Sequence, residues 1–141
     1  MRNTILMSGV LAASLAVFAL PASAEMVQMK ADLKASEEVP PNDSPATGAV
    51  EVTLDSDANK VSWKISQEGL TGDATAAHFH GPAKPGENAG PVIDISSNMA
   101  EGSADVTAEQ MQMIRDGNTY VNIHTAQNPD GEIRGQVVAA Q

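Results

Sequence analysis

The sequence predicts an all-β domain: an antiparallel β-sandwich of about seven or eight short strands with one short helix near 107–116. Three observations predict it. Apolar and polar residues alternate with period two over several stretches. Turn-forming residues interrupt the chain at short intervals. Only one stretch carries both a helix start and a helix stop signal.

Val27, Met29, Ala31 and Leu33 alternate with Gln28, Lys30 and Asp32. Gly48, Val50, Val52 and Leu54 alternate with Ala49, Glu51 and Thr53, and Val61, Trp63 and Ile65 with Ser62, Lys64 and Ser66. Each stretch reads as a half-buried strand. Asp55-Ser56-Asp57-Ala58-Asn59 between the second and third is a hairpin turn of residues that bond their own backbone. Its acidic residues read as a plain turn rather than a calcium loop, because the EF-hand spacing with its glycine and terminal Glu is missing.

Glu37 to Thr47 holds Pro40, Pro41 and Pro45 and reads as an extended loop. Thr75 to His80 is a further strand, broken by Gly81-Pro82-Ala83-Lys84-Pro85-Gly86. Pro91 to Ile95 and Gly102 to Val106 are short strands. Thr107 can cap a helix with Gln110 completing a capping box, and Gly117 can stop it. Tyr120 to Thr125 is a strand, Asn128-Pro129-Asp130-Gly131 a tight turn, and Glu132 to Ala139 the last strand.

Residues 1–24 follow the grammar of a secretory signal peptide. Arg2 supplies the positive start, Ile5 to Leu20 the apolar run, and Ala22-Ser23-Ala24 the cleavage site. The run is short for a membrane span. The expectation is a periplasmic or secreted protein whose mature part is a single domain, 25–141. There is no cysteine, which excludes a lipid-anchored lipoprotein, disulfides and thiolate chemistry. The net charge is −10 for the whole chain, and −11 without Arg2, the one charge in 1–24. So acidic a domain is a poor partner for nucleic acid or anionic lipid. With four aromatic residues in the chain, one of them Phe18, stacking platforms for bases or sugars are not expected.

All three histidines fall at strand ends, on polar faces, just before turns. His78 and His80, two apart on a strand, share one face while Phe79 points to the other. In Tyr120-Val121-Asn122-Ile123-His124 the alternation puts Tyr120, Asn122 and His124 together, away from Val121 and Ile123. If the two strands end at one rim, His78, His80 and His124 form a three-nitrogen metal site with open positions. With neither thiolate nor an obvious carboxylate ligand, copper comes first and zinc second. The competing reading is three structural histidines bonded to turn backbone. Met26, Met29, Met99, Met111 and Met113 are scattered and read as core filling rather than thioether ligands. Arg134, on the polar face of the last strand, is either a guide for a small anion or a structural arginine paired with Glu132 or Glu87. Asp94 and Glu87 stand in loops without an assigned role. No Ser-His-Asp order, phosphate-cradling loop or paired-carboxylate motif is present.

Several segments resemble the CHRD domain, the repeat found in chordin. They are Ala35-Ser36-Glu37-Glu38-Val39-Pro40-Pro41, Ala46-Thr47-Gly48, Gly69-Leu70-Thr71-Gly72 and Ala76-Ala77-His78-Phe79-His80-Gly81-Pro82-Ala83, then Thr107-Ala108-Glu109-Gln110, Tyr120-Val121-Asn122-Ile123-His124-Thr125 and Asn128-Pro129-Asp130-Gly131-Glu132-Ile133-Arg134-Gly135-Gln136. The likeness runs from about Met29 to Val138, with the segments in the family's order. Ser36-Glu37 departs from the usual family residues. The resemblance implies an immunoglobulin-like sandwich in an exported protein, and the family motif carries all three histidines. The H-x-H also looks like the copper-site histidines of Cu/Zn superoxide dismutases. The functional expectation is an exported metal-binding domain, with superoxide-dismutase-like redox activity as an extension if the metal is copper. The alternative is a non-catalytic extracytoplasmic protein-interaction module.

Overall fold

A computed structural model describes residues 25–141. The expected signal peptide, 1–24, lies outside the described residues. Among the described residues, nine strands and one α-helix follow in order: β1 (Met26–Lys34), β2 (Thr47–Asp55), β3 (Lys60–Glu68), β4 (Ala74–His80), β5 (Pro91–Asp94), β6 (Glu101–Asp105), α1 (Ala108–Arg115), β7 (Tyr120–Thr125), β8 (Ile133–Gln136) and β9 (Val138–Ala139). Short 3-10 turns at Ala35–Glu37 and Ser96–Asn98, absent from the sequence reading, follow β1 and β5.

The pairing is antiparallel throughout and runs as one path, β5-β4-β7-β8-β1-β2-β3-β6, with β9 added to β1. The all-β class and the single helix are as expected. The division into two separate sheets is not what the pairing gives. Two four-stranded halves are joined where Lys34 of β1 pairs with Arg134 of β8, and the sheet curls into a nearly barrel-shaped wall around one core. The expected last strand is also split. Val137 turns fully inward and bonds Thr119, so β8 pairs with β7 while β9 pairs with β1.

The alternation explains the core. Met29, Ala31, Leu33, Val50, Val52, Leu54, Val61 and Trp63 all point inward from β1, β2 and β3. Lys30, Glu51 and Lys64 between them face water. From the other half, Ala77, Phe79, Val121, Ile123 and Ile133 fill the same core. Phe79 is fully buried and meets Trp63 edge to face at 6.3 Å; burying such a side chain contributes roughly 1.5–3 kcal/mol. Gly102 is required beside Trp63, since a Cβ there would come within 2.7 Å of the indole.

The turn expected at 55–59 forms around Asp55, whose Oδ1 accepts from the amides of Asp57 and Ala58 at 3.1 and 2.9 Å. The capping box also forms: Gln110 N donates to Thr107 Oγ1 at 3.1 Å, and Thr107 N donates to Gln110 Oε1 at 2.9 Å. Met111 and Ile114 then seat α1 on the core. Met29 and Met111 are core residues, and Met99 packs against the core.

Candidate metal centre

The site is built on the face of β4, β7 and β8 that turns away from the apolar core. Antiparallel register sets its rows. His78 lies opposite Asn122, which lies opposite Arg134; His80 lies opposite Tyr120, which lies opposite Gln136; and His124 lies opposite Ala76. Directly opposed residues share a face. Seven polar or aromatic side chains therefore meet where a typical sheet would face solvent. Here loops cover them, and every residue of β7 is buried.

One cover is the segment between β4 and β5. Arg134 clamps it by donating from Nη1 to Asn88 Oδ1 at 3.0 Å and from Nη2 to the Glu87 carbonyl, with its guanidinium 3.4 Å from the Tyr120 ring centroid. Gln136 holds the same segment through Ala83 O at 2.7 Å. Tyr120 stacks in turn on His80, centroids 4.7 Å apart and planes within 3°. Arg134 is 2% exposed, and all the partners just named lie in the wall of the site. Of the pairings considered for it, Glu87 is met through its backbone, and Glu132 bonds elsewhere.

The second cover is the 38–46 loop with the turn after β7, tied together by Glu132. This carboxylate is fully buried and takes four hydrogen bonds, from Ser44 Oγ at 2.6 Å, Thr71 N at 2.9 Å, Thr71 Oγ1 at 2.7 Å and Thr125 Oγ1 at 2.5 Å. Burial alone would raise its pKa; the four donors overrule it and hold the group down at about 2.

The structure brings all three predicted histidines together. Their candidate ligand nitrogens lie within 4.8 Å of one another. His80 and His124 are buried and His78 sits at the rim. Hydrogen bonds fix two tautomers. His80 Nδ1–H donates to the Ala89 carbonyl and His124 Nδ1–H to the Pro129 carbonyl, both at 2.8 Å, because a carbonyl can only accept. The Nε2 of each is then the acceptor nitrogen, and His80 Nε2 has no partner among the described residues. His78 Nε2 faces Asp94 Oδ1 at 3.8 Å, and its Nδ1 stands 3.2 Å from His124 Nε2. Asp94, expected in a loop, pairs directly with His78 on β5. Burial lowers the pKa of His78, with His124 adding to the effect and Asp94 opposing it. Burial also lowers that of His80, against the Ala89 hydrogen bond. Both shifts favour the neutral ring, the form that can donate a lone pair.

One pair of these nitrogens already has the spacing of two ligands on an ion. Two nitrogens bound at about 2.0–2.1 Å to one tetrahedral metal stand about 3.3 Å apart, close to the His78–His124 separation of 3.2 Å. Backbone carbonyls behind two of the rings are the usual outer support of metal-binding histidines.

Sequence reasoning placed Asn122 on this face without giving it a role, and it missed Glu38. The only signal for Asn122 is its place between Tyr120 and His124. For Glu38 there is none, because the proline-rich stretch around it reads as exposed. In fact Glu38 is buried beside Asn122, and burial raises its pKa to about 7 against the pull of Arg134 and the Asn122 amide.

A curled antiparallel sheet with a three-histidine face defines a small all-β module whose site is grafted onto paired strands. The chain belongs to the CHRD domain family, whose model matches residues 29–137. No curated protein and no solved structure matches it. CHRD domains are typically extracellular modules. No helix among the described residues is long and apolar enough to cross a membrane.

Proposed function

We propose that the protein is an exported metal-binding CHRD domain, released as residues 25–141 after removal of the leader 1–24, with His78, His80 and His124 as ligands. The observation that carries the reading is the convergence of one ring nitrogen from each histidine, all within 4.8 Å of one another, with His78 Nδ1 3.2 Å from His124 Nε2 and the Nδ1 nitrogens of His80 and His124 fixed by carbonyls. Without an ion, a proton on His78 Nδ1 bridges to His124 Nε2. To bind one, His78 moves that proton to Nε2, toward Asp94, and presents its Nδ1 lone pair. Copper is favoured over zinc by an all-imidazole donor set in a compartment where cysteine would oxidise. A bound copper would supply one-electron chemistry or act as a transferable cargo. Arg134 serves as the clamp of the site wall rather than as an anion guide, and the acidic surface disfavours superoxide as a substrate.

Purified protein dialysed against micromolar copper or zinc should retain one equivalent. His78→Ala, His80→Ala and His124→Ala should each lose it. Retention of less than a tenth of an equivalent by the wild type would leave the histidines structural, in an interaction module. A leader that is processed at Ala24 gives Glu25 as the first residue of the exported protein; an N-terminus at Met1 would contradict the export reading.

A further inference from the structure

Asn122 occupies the middle of the histidine face. It lies opposite His78 across β4 and β7, beside His80, and two residues before His124 on the same strand. Three buried polar atoms without a partner belong to this neighbourhood: His80 Nε2, Asn122 Oδ1 and Glu38 Oε1. Their residues are 8%, 2% and 7% exposed. A buried polar atom without a partner costs about 1–3 kcal/mol, so three in one place call for an explanation.

The chemistry fixes which way the amide points. Asn122 Nδ2 is directed at the Asp130 carbonyl, 3.5 Å away, and at Glu38. Reversing the amide would set Oδ1 against the Asp130 carbonyl, which can only accept, so Oδ1 is the atom turned toward the imidazoles. Gly131 makes room for this pair. Its φ is +129°, and a Cβ there would fall 2.6 Å from Asn122 Nδ2 and closer still to Glu38 Oε1. Arg134 and Asp130 are the charged groups facing Glu38, and the Arg134 guanidinium bonds the loop wall and covers Tyr120.

Thus beside the three imidazoles stands a further acceptor, Asn122 Oδ1. We propose that Asn122, oriented by Glu38, lines the position the three imidazoles leave open and selects a neutral, proton-donating ligand such as water over an anion. The inference rests on the histidine metal reading. A donor entering that position satisfies Asn122 Oδ1, whereas an anion meets a lone pair with no proton to offer it.

The test is azide titration of the copper(II)-loaded exported protein, followed by azide-to-copper charge-transfer absorption, with electron paramagnetic resonance reporting the nitrogen ligands. Asn122→Leu removes the acceptor and should tighten azide about tenfold while the nitrogen pattern stays that of the wild type. Asn122→Asp keeps the shape, adds negative charge and should weaken azide below the wild type. It provides an independent arm if the leucine variant does not fold. Equal azide affinity in wild type and Asn122→Leu would overturn the proposal, as would tighter azide in Asn122→Asp. Failure of the wild type to hold copper would instead overturn the histidine reading, and this one with it.

Discussion

Glu132 and Glu38 are both buried carboxyls on the covered side of the same sheet, and their surroundings are opposite. Glu132 is met by four donors from three segments, and its pKa falls to about 2. Glu38 keeps an oxygen without a partner and rises to about 7. Desolvation dominates at Glu38, while the donors around Glu132 outweigh it there. A satisfied polar group holds loops in place. An unsatisfied one beside the three imidazoles marks where the protein has left room for something else.

The contrast can be broken from either side. The largest effect is expected on the unsatisfied side: His80→Ala should reduce metal affinity by about a hundredfold or more, as calorimetric titration would read, because one of three ligands is lost. On the satisfied side, Glu132→Gln turns one acceptor oxygen into a donor facing donors. It should cost about 3 kcal/mol of unfolding free energy in urea titrations and leave the histidines in place.

The two carboxyls should also give stability opposite pH slopes. The folded pKa of Glu132 is depressed, so its contribution is complete above the unfolded value near 4.5 and is lost as pH falls toward 2. The folded pKa of Glu38 is raised. Its contribution is complete below 4.5 and is lost as pH rises through 7. Between pH 5 and 8 the wild type should therefore lose roughly 2–3 kcal/mol relative to Glu38→Gln. Identical pH profiles for the two would refute the assignment. The smallest effect belongs to the open face of β2, where Thr53→Ala removes a solvent-exposed contact with Gln28 at 2.9 Å and should change stability by less than about 0.5 kcal/mol.

The same comparison explains what the sequence could convey. The strands of the β1–β2–β3 face were legible because each has one wet side and one dry side, and alternation records that directly. The capping box of α1 and the turn at Asp55 were legible because their bonds join near neighbours. The histidines were found because strand periodicity places His78 with His80 and Asn122 with His124. What stayed hidden depends on contacts between residues distant in the chain. Arg134 gives no sign that it reaches Asn88, or that it meets Glu87 through the backbone rather than the carboxylate, nor Glu132 that it gathers Ser44 and Thr71. Covering loops turn a polar face into a buried one without altering its pattern, so Glu38 and the Arg134–Tyr120–His80 stack had no local signature. The single path of strands was likewise hidden, since it depends on the pairing of Lys34 with Arg134.

The central claim is that three particular nitrogens converge on one ion. It is tested most directly by titrating zinc into the isotopically labelled protein and following the imidazole nitrogens by long-range proton–nitrogen correlation. One equivalent should bring His78 Nδ1, His80 Nε2 and His124 Nε2 to metal-bound shifts, while His80 and His124 keep their Nδ1 protons on Ala89 and Pro129. Nitrogen shifts that stay unchanged through one equivalent, or ligation of His80 through Nδ1, would contradict the account.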